Sequence, residues 1–171
     1  MNTLTDTLAS GLSERETAEL KLAETFGGGN HYISGDELPW TPWIGAIEIK
    51  VMRVDNRTGQ LVMALRSKDD VVLGKHRHRG AVTAVTLKGA WEYHEHDWIA
   101  RPGDYVREDP GTIHTLHIMP GAEIIYTIDG SIEFLNEDDT LDYVMDVWSF
   151  LKLYEDFCGL QKIALNKNIF Y

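Results

Sequence analysis

A chain of 171 residues with 43% hydrophobic and 25% charged residues is long enough for one buried core and too apolar for wholesale disorder. Sixteen Lys and Arg against 27 Asp and Glu leave a net charge of −11. That excludes the clustered positive surface that tracks phosphates, and with it nucleic-acid partners.

No apolar run nears the roughly 20 residues that span a bilayer, so no membrane partner is expected. The opening Met1-Asn2-Thr3-Leu4-Thr5-Asp6 lacks the basic and apolar regions of a secretory signal. The single cysteine, Cys158, has no intrachain partner, which fits a reducing cytoplasm.

The first element is a predicted helix over Gly11–Phe26. Ser13-Glu14-Arg15-Glu16 has the form of a capping box, and Gly27-Gly28-Gly29 stops the run. Leu38-Pro39-Trp40-Thr41-Pro42-Trp43 follows as a stiff extended entry with large rings to bury. From Ile44 to Leu135 the period is two. Ile47, Ile49 and Val51 alternate with Glu48, Lys50 and Met52, and Leu61, Met63 and Leu65 resume after the turn Asp55–Gly59. Turn signals recur at Lys68–Asp70, Lys88-Gly89, Arg101–Asp104, Asp109–Gly111, Met119–Gly121 and Asp129-Gly130. This cadence predicts an all-β barrel or sandwich without crossover helices. After Asn136–Asp139, Tyr143, Val147, Phe150, Leu151, Tyr154 and Cys158 form one helical stripe, with Gly159 as its expected C-cap.

Five of the seven histidines lie between His76 and His114. His76 and His78 are two apart, so on a strand both imidazoles project to one face and can share a metal. His114, after a Pro-Gly turn on a later strand, supplies a third corner. Three imidazoles with open positions suit a divalent first-row metal that also binds water or substrate.

Gly74-x-His76-x-His78, Gly89, Gly103 and Asp109-Pro110-Gly111-Thr112-Ile113-His114 resemble the two-part motif of the cupin superfamily. The resemblance implies a small double-stranded β-helix, or jelly-roll, barrel that holds a metal inside, here with a helix at each end. The expected divisions are residues 1–37 as an N-terminal helix and loop, 38–158 as the barrel with its C-terminal helix, and 159–171 as a tail. The usual cupin glutamate would fall at Val82 or Thr83, and neither is a ligand.

A narrower resemblance supplies a carboxylate elsewhere. Leu38-Pro39-Trp40-x-Pro42-Trp43, His76-Arg77-His78, Trp91-x-Tyr93-x-Glu95-x-Asp97-Trp98, Gly111-Thr112-x-His114-Thr115-Leu116 and Leu153-Tyr154-x-x-x-Cys158 together resemble the 2,4'-dihydroxyacetophenone dioxygenase family. The resemblance implies a non-haem Fe(II) held by His76, His78, Glu95 and His114. The implied reaction is O2-dependent cleavage of the carbon–carbon bond between a ketone and its hydroxymethyl neighbour, giving two carboxylic acids. A related cupin cleaves acetylacetone. Zinc or nickel can replace the iron during preparation. The implied partners are a small ketone and O2, and paired barrels predict a homodimer or homotetramer.

Strand parity does not choose between Glu95 and its neighbours. Trp91, Tyr93, Glu95 and Asp97 share one face of an extended segment, and His94 and His96 share the other. With Glu95 inward, His94 and His96 face solvent or an interface, and Tyr93 points inward either as a donor near the metal or as a core tyrosine with its hydroxyl at the barrel mouth. His31 and His117 belong to no motif, so a structural role is expected for both. Trp40, Trp43, Trp91 and Trp98 either wall an aromatic pocket or pack the core, and Cys158 reads as a buried small hydrophobe. The alternative function is a non-catalytic, zinc-binding cupin used as a sensor or binding module, as in some anti-sigma factors.

Overall fold

The computed structural model describes residues 13, 14, 16–18, 21 and 31–170, and the chain divides into Met1–Tyr32 and Ile33–Tyr171. In the first unit the predicted capping box is formed. The Ser13 N–H donates to Glu16 Oε2 at 2.8 Å and the Glu16 N–H donates to Ser13 Oγ at 3.3 Å. Glu14, residues 16–18 and Lys21 are helical; apart from Ser13, the other residues of the predicted helix, with its triple-glycine stop, lie outside the described residues.

The second unit is built from antiparallel strands in two sheets. One sheet holds β1 (Thr41–Pro42), β2 (Ile47–Asp55), β3 (Gln60–Ser67), β9 (Glu123–Asp129), β5 (Val82–Lys88) and β7 (Tyr105–Glu108), in that spatial order. The other holds β11 (Leu141–Met145), β10 (Ile132–Leu135), β4 (Val71–His78), β8 (Ile113–Ile118) and β6 (Trp91–Tyr93). Alternation places Ile47, Ile49, Val51, Leu61, Met63, Leu65, Ile124 and Ile128 in the core between the sheets. The turn after β2 is tied by Asp55 Oδ1, which accepts from the N–H groups of Arg57 and Thr58 at 3.0 and 3.2 Å.

Helix α1 (Val147–Gln161) buries Val147, Phe150, Leu151, Tyr154 and Cys158, the predicted stripe less its first member. Tyr143 instead lies on β11, opposite Phe134 of β10, where the two rings stack. The helix starts later than the hydrophobic period suggests because Asp146 and Ser149 form a reciprocal capping box. Its C-cap is Lys162 in the left-handed conformation, so Gly159 stays inside the last turn. Further along, Ile169 is fully buried and Phe170 bridges to Val54 of β2.

A close approach beside the β4 end is made by Gly80. A Cβ there would sit 2.2 Å from the carbonyl oxygen of Asp129, so the backbone segment after His78 abuts the β9–β10 turn. Gly80→Ala is expected to cost about 1–3 kcal/mol through forced backbone displacement. Thermal unfolding of the variant beside the parent protein measures it.

Candidate metal centre

Two neighbouring strands carry the three predicted imidazoles to one place. His76 of β4 is the direct cross-strand partner of His114 on β8, and both are buried. The register shifts between Leu73 and His76, where Gly74 and Lys75 of β4 oppose the single Thr115 that separates Leu116 from His114. That extra residue is a bulge. It lets Leu73 and His76, which differ in parity, both face inward. It also brings the Gly74 carbonyl within 2.7 Å of His76 Nδ1. With Nδ1–H donating to that carbonyl, His76 presents Nε2 as a lone pair to the interior.

Ligand atoms of His76, His78 and His114 lie within 4.8 Å of one another. The Nε2 atoms of His76 and His114 are 3.1 Å apart. Two donors each about 2.1 Å from one ion stand about 3.0 Å apart at a right angle and about 3.4 Å apart at a tetrahedral one, so the spacing suits a shared ion.

A carboxylate that the sequence reading did not select joins them from the opposite sheet. Glu108, the last residue of β7, places Oε2 at 3.3 Å from His114 Nε2 and 3.5 Å from His78 Nε2. Its side chain is buried, and this oxygen has no hydrogen-bond partner. The other oxygen accepts from the Tyr93 hydroxyl, and the Tyr93 ring stacks on His114 with centroids 3.9 Å apart. Tyr93 thus faces inward and positions both groups. A buried carboxylate oxygen lacking a donor, beside converging imidazole nitrogens, fits a cation. The signal available in the sequence was Glu108 immediately before the Asp109-Pro110-Gly111 turn that leads back to His114.

Glu95 is placed differently. Strand β6 ends at Tyr93, residues 94 and 95 form a turn, and Glu95 is exposed. Its Oε2 accepts from the Thr115 N–H at 2.9 Å, and its charge is near enough to favour protonated His76. It is outside the group formed by the three histidines. His94 and His96 are exposed as well.

Burial sets the protonation of the site. It lowers His76, lowers His78 to about 3 and lowers His114 to about 2, the last two helped by neighbouring imidazoles. All three are therefore neutral near pH 7, as ligands must be. Burial raises Glu108 to about 7, against the Tyr93 hydrogen bond. The metal-free protein should therefore respond to acid in two stages. Below the ordinary histidine value of 6.5 the unfolded chain takes up protons that His78 and His114 refuse, so stability falls with pH. Glu108 works oppositely. Its contribution is full below its ordinary 4.5 and is lost as pH rises through about 7. The loss is thus partly offset above pH 4.5 and unopposed below it. Melting curves of chelator-treated protein from pH 4 to 7.5 should show that break, and Glu108→Gln should steepen the upper part.

Two spaces adjoin the group. An open cleft of about 540 Å³ reaches Glu108 and His114 and is walled by His96, Trp98, Tyr105 and Arg107. A small interior space of about 20 Å³ touches His76 and His78 beside Trp43 and Phe-free aliphatic walls of Leu73, Leu116 and Ile132, which is room for about one water-sized occupant. Of Trp40, Trp43, Trp91 and Trp98, Trp98 walls the cleft and Trp43 the interior space. Trp91 is core, donating from Nε1 to Thr86 Oγ1 at 2.7 Å. Trp40 lies under the Lys50 and Arg66 cations.

Residues 29–133, more than half of the chain, match the family model described as the ChrR cupin-like domain. The chain belongs to this cupin family. Among solved structures it is similar to an RmlC-like cupin protein from Ralstonia eutropha JMP134, at 25% identity and a TM-score of 0.77 over 86% of this chain and 97% of that one. An acetylacetone dioxygenase from Acinetobacter johnsonii shares the cupin fold at 15% identity, with a TM-score of 0.67 over 76% of this chain and 93% of that one. No curated protein matches the chain. The cupin barrel accounts for the expected all-β architecture, and among the described residues no helix is long and apolar enough to cross a membrane.

Proposed function

We propose that this cupin is an Fe(II)-dependent dioxygenase of the 2,4'-dihydroxyacetophenone dioxygenase type, cleaving a carbon–carbon bond of a small hydroxyketone or diketone with O2. The observation that carries the reading is the buried group of His76, His78, His114 and Glu108, of which His114 and Glu108 line a cleft about 540 Å³ in volume, within the range of small-molecule sites. When bound, the iron supplies the chemistry with O2 that side chains lack.

The chain's own groups do the rest. The three imidazoles hold the ion, Tyr93 keeps the Glu108 carboxylate and the His114 ring in place, and Trp98 and Tyr105 offer the substrate aromatic walls. The likeness to an acetylacetone dioxygenase supports a ketone substrate. Oxygen uptake by anaerobically iron-loaded protein, run against a panel of hydroxyketones and diketones, tests the proposal. Ketone-dependent uptake supports it.

A second reading is favoured by the match to the ChrR cupin-like domain: a metal-binding module without catalysis. Tight zinc binding with no uptake for any ketone in the iron-loaded protein would establish that reading instead. In either case we propose a homodimer or homotetramer, supported by Leu141 and Val144 exposed on the outer strand β11 and by Trp148 exposed at the start of α1. Light scattering that reports a monomer at micromolar concentration would refute it.

A further inference from the structure

The sheet that carries His76 and His114 inward carries another ligating group on its outer face. On β8, residues alternate, so His114, Leu116 and Ile118 are buried while His117 points away from the barrel interior. Its cross-strand partner on β6 is Glu92, which shares that outward face. Glu92 Oε1 lies 3.0 Å from His117 Nδ1. His94, on the turn just past the end of β6, brings its ring to 5.5 Å from that of His117. One ligand atom from each of Glu92, His94 and His117 lies within 4.8 Å of the others.

An independent observation comes from the turn between β3 and β4. Asp70 Oδ1 lies 2.9 Å from His117 Nε2, the ring nitrogen remote from Glu92. A carboxylate on the far nitrogen fixes tautomer and orientation in metal-ligating histidines and makes the near nitrogen a better donor. Here it leaves Nδ1 turned toward Glu92 and His94. Two imidazoles and one carboxylate, oriented by a second carboxylate, form a donor set typical of zinc.

We propose that Glu92, His94 and His117 form a second divalent-metal site, selective for zinc-like ions, on the outer face of the barrel, with Asp70 as the residue that orients His117. The site does not rest on the catalytic reading of the interior group. In the metal-free protein the two carboxylates hold a proton on His117 and raise its pKa. The ion replaces that proton at Nδ1, while Asp70 keeps the hydrogen bond from Nε2.

Metal-stripped, full-length protein titrated with zinc chloride in a calorimeter tests this. The expected result is that the parent takes up one more equivalent of zinc per chain than His117→Ala or His94→Ala. Asp70→Asn should retain that equivalent but bind it about 10–100-fold more weakly, as the loss of an outer-shell partner does. Glu92→Gln preserves side-chain volume and guards against misfolding. It should lose the same equivalent, or bind it far more weakly, with an unchanged circular dichroism spectrum. His76→Ala should retain the outer equivalent. Equal zinc uptake by the parent and both histidine variants would overturn the proposal, as would an outer equivalent indifferent to both Glu92→Gln and Asp70→Asn.

Discussion

Replacing His76 with alanine is expected to weaken metal binding at the interior site by at least roughly 100-fold, the upper end of what even an outer-shell partner contributes, and to abolish ketone-dependent oxygen uptake. The side chain is buried, its Nδ1 is held by the Gly74 carbonyl, and its Nε2 meets that of His114 at 3.1 Å. Among the described residues His76 groups only with His78 and His114, and the bulge at Gly74 and the register with β8 fix where its nitrogen stands. The substitution also leaves a cavity beside Phe134, so metal content and uptake must be read on protein whose circular dichroism matches the parent's. His114→Ala is the companion variant and should lose both properties as well. Metal retained at full stoichiometry in both variants would remove the interior group as the metal centre.

The second large effect separates two carboxylates. Three neutral imidazoles leave a divalent ion with its whole charge, and a carboxylate beside it neutralises half. Glu108→Gln keeps the side-chain volume and a partner for the Tyr93 hydroxyl, but removes the negative charge 3.3 Å from His114 Nε2. It is expected to weaken metal binding about 10–100-fold and to cut turnover at least as much. Glu95→Gln offers the comparison that the family resemblance demands. Glu95 is exposed and already accepts from the Thr115 N–H, so its amide should leave metal content and uptake near those of the parent. Iron content and oxygen uptake measured on the same preparations decide the matter. If Glu95→Gln loses turnover while Glu108→Gln does not, Glu95 is the working carboxylate and must approach the metal from the turn after β6.

The same comparison marks where reading along the chain stops being informative. The strands from Ile47 onward, the turns that punctuate them, and the helix stripe of Val147, Phe150, Leu151, Tyr154 and Cys158 were legible because each is a local periodicity imposed by one buried face. His76 and His78 were legible for the same reason, being two apart on a single strand. The spacing of Tyr143 fits that stripe, yet Tyr143 lies on β11, because the Asp146 capping box starts α1 only after that strand.

By itself, then, the sequence determined an acidic all-β domain with one terminal helix stripe and a set of histidines close enough along the chain to share a face. Tertiary structure alone decided which carboxylate meets them. Parity predicts direction only while a strand lasts, and β6 ends at Tyr93, two residues short of Glu95. Glu108 reaches the imidazoles from the other sheet, across a distance that no spacing in the chain encodes. The outward pairing of His117 with Glu92 and Asp70 likewise depends on the register of β8 against β6 and on where the β3–β4 turn lies. Non-local contacts of this kind are set by how the sheets pack, and packing is a property of the whole folded chain rather than of any segment of it.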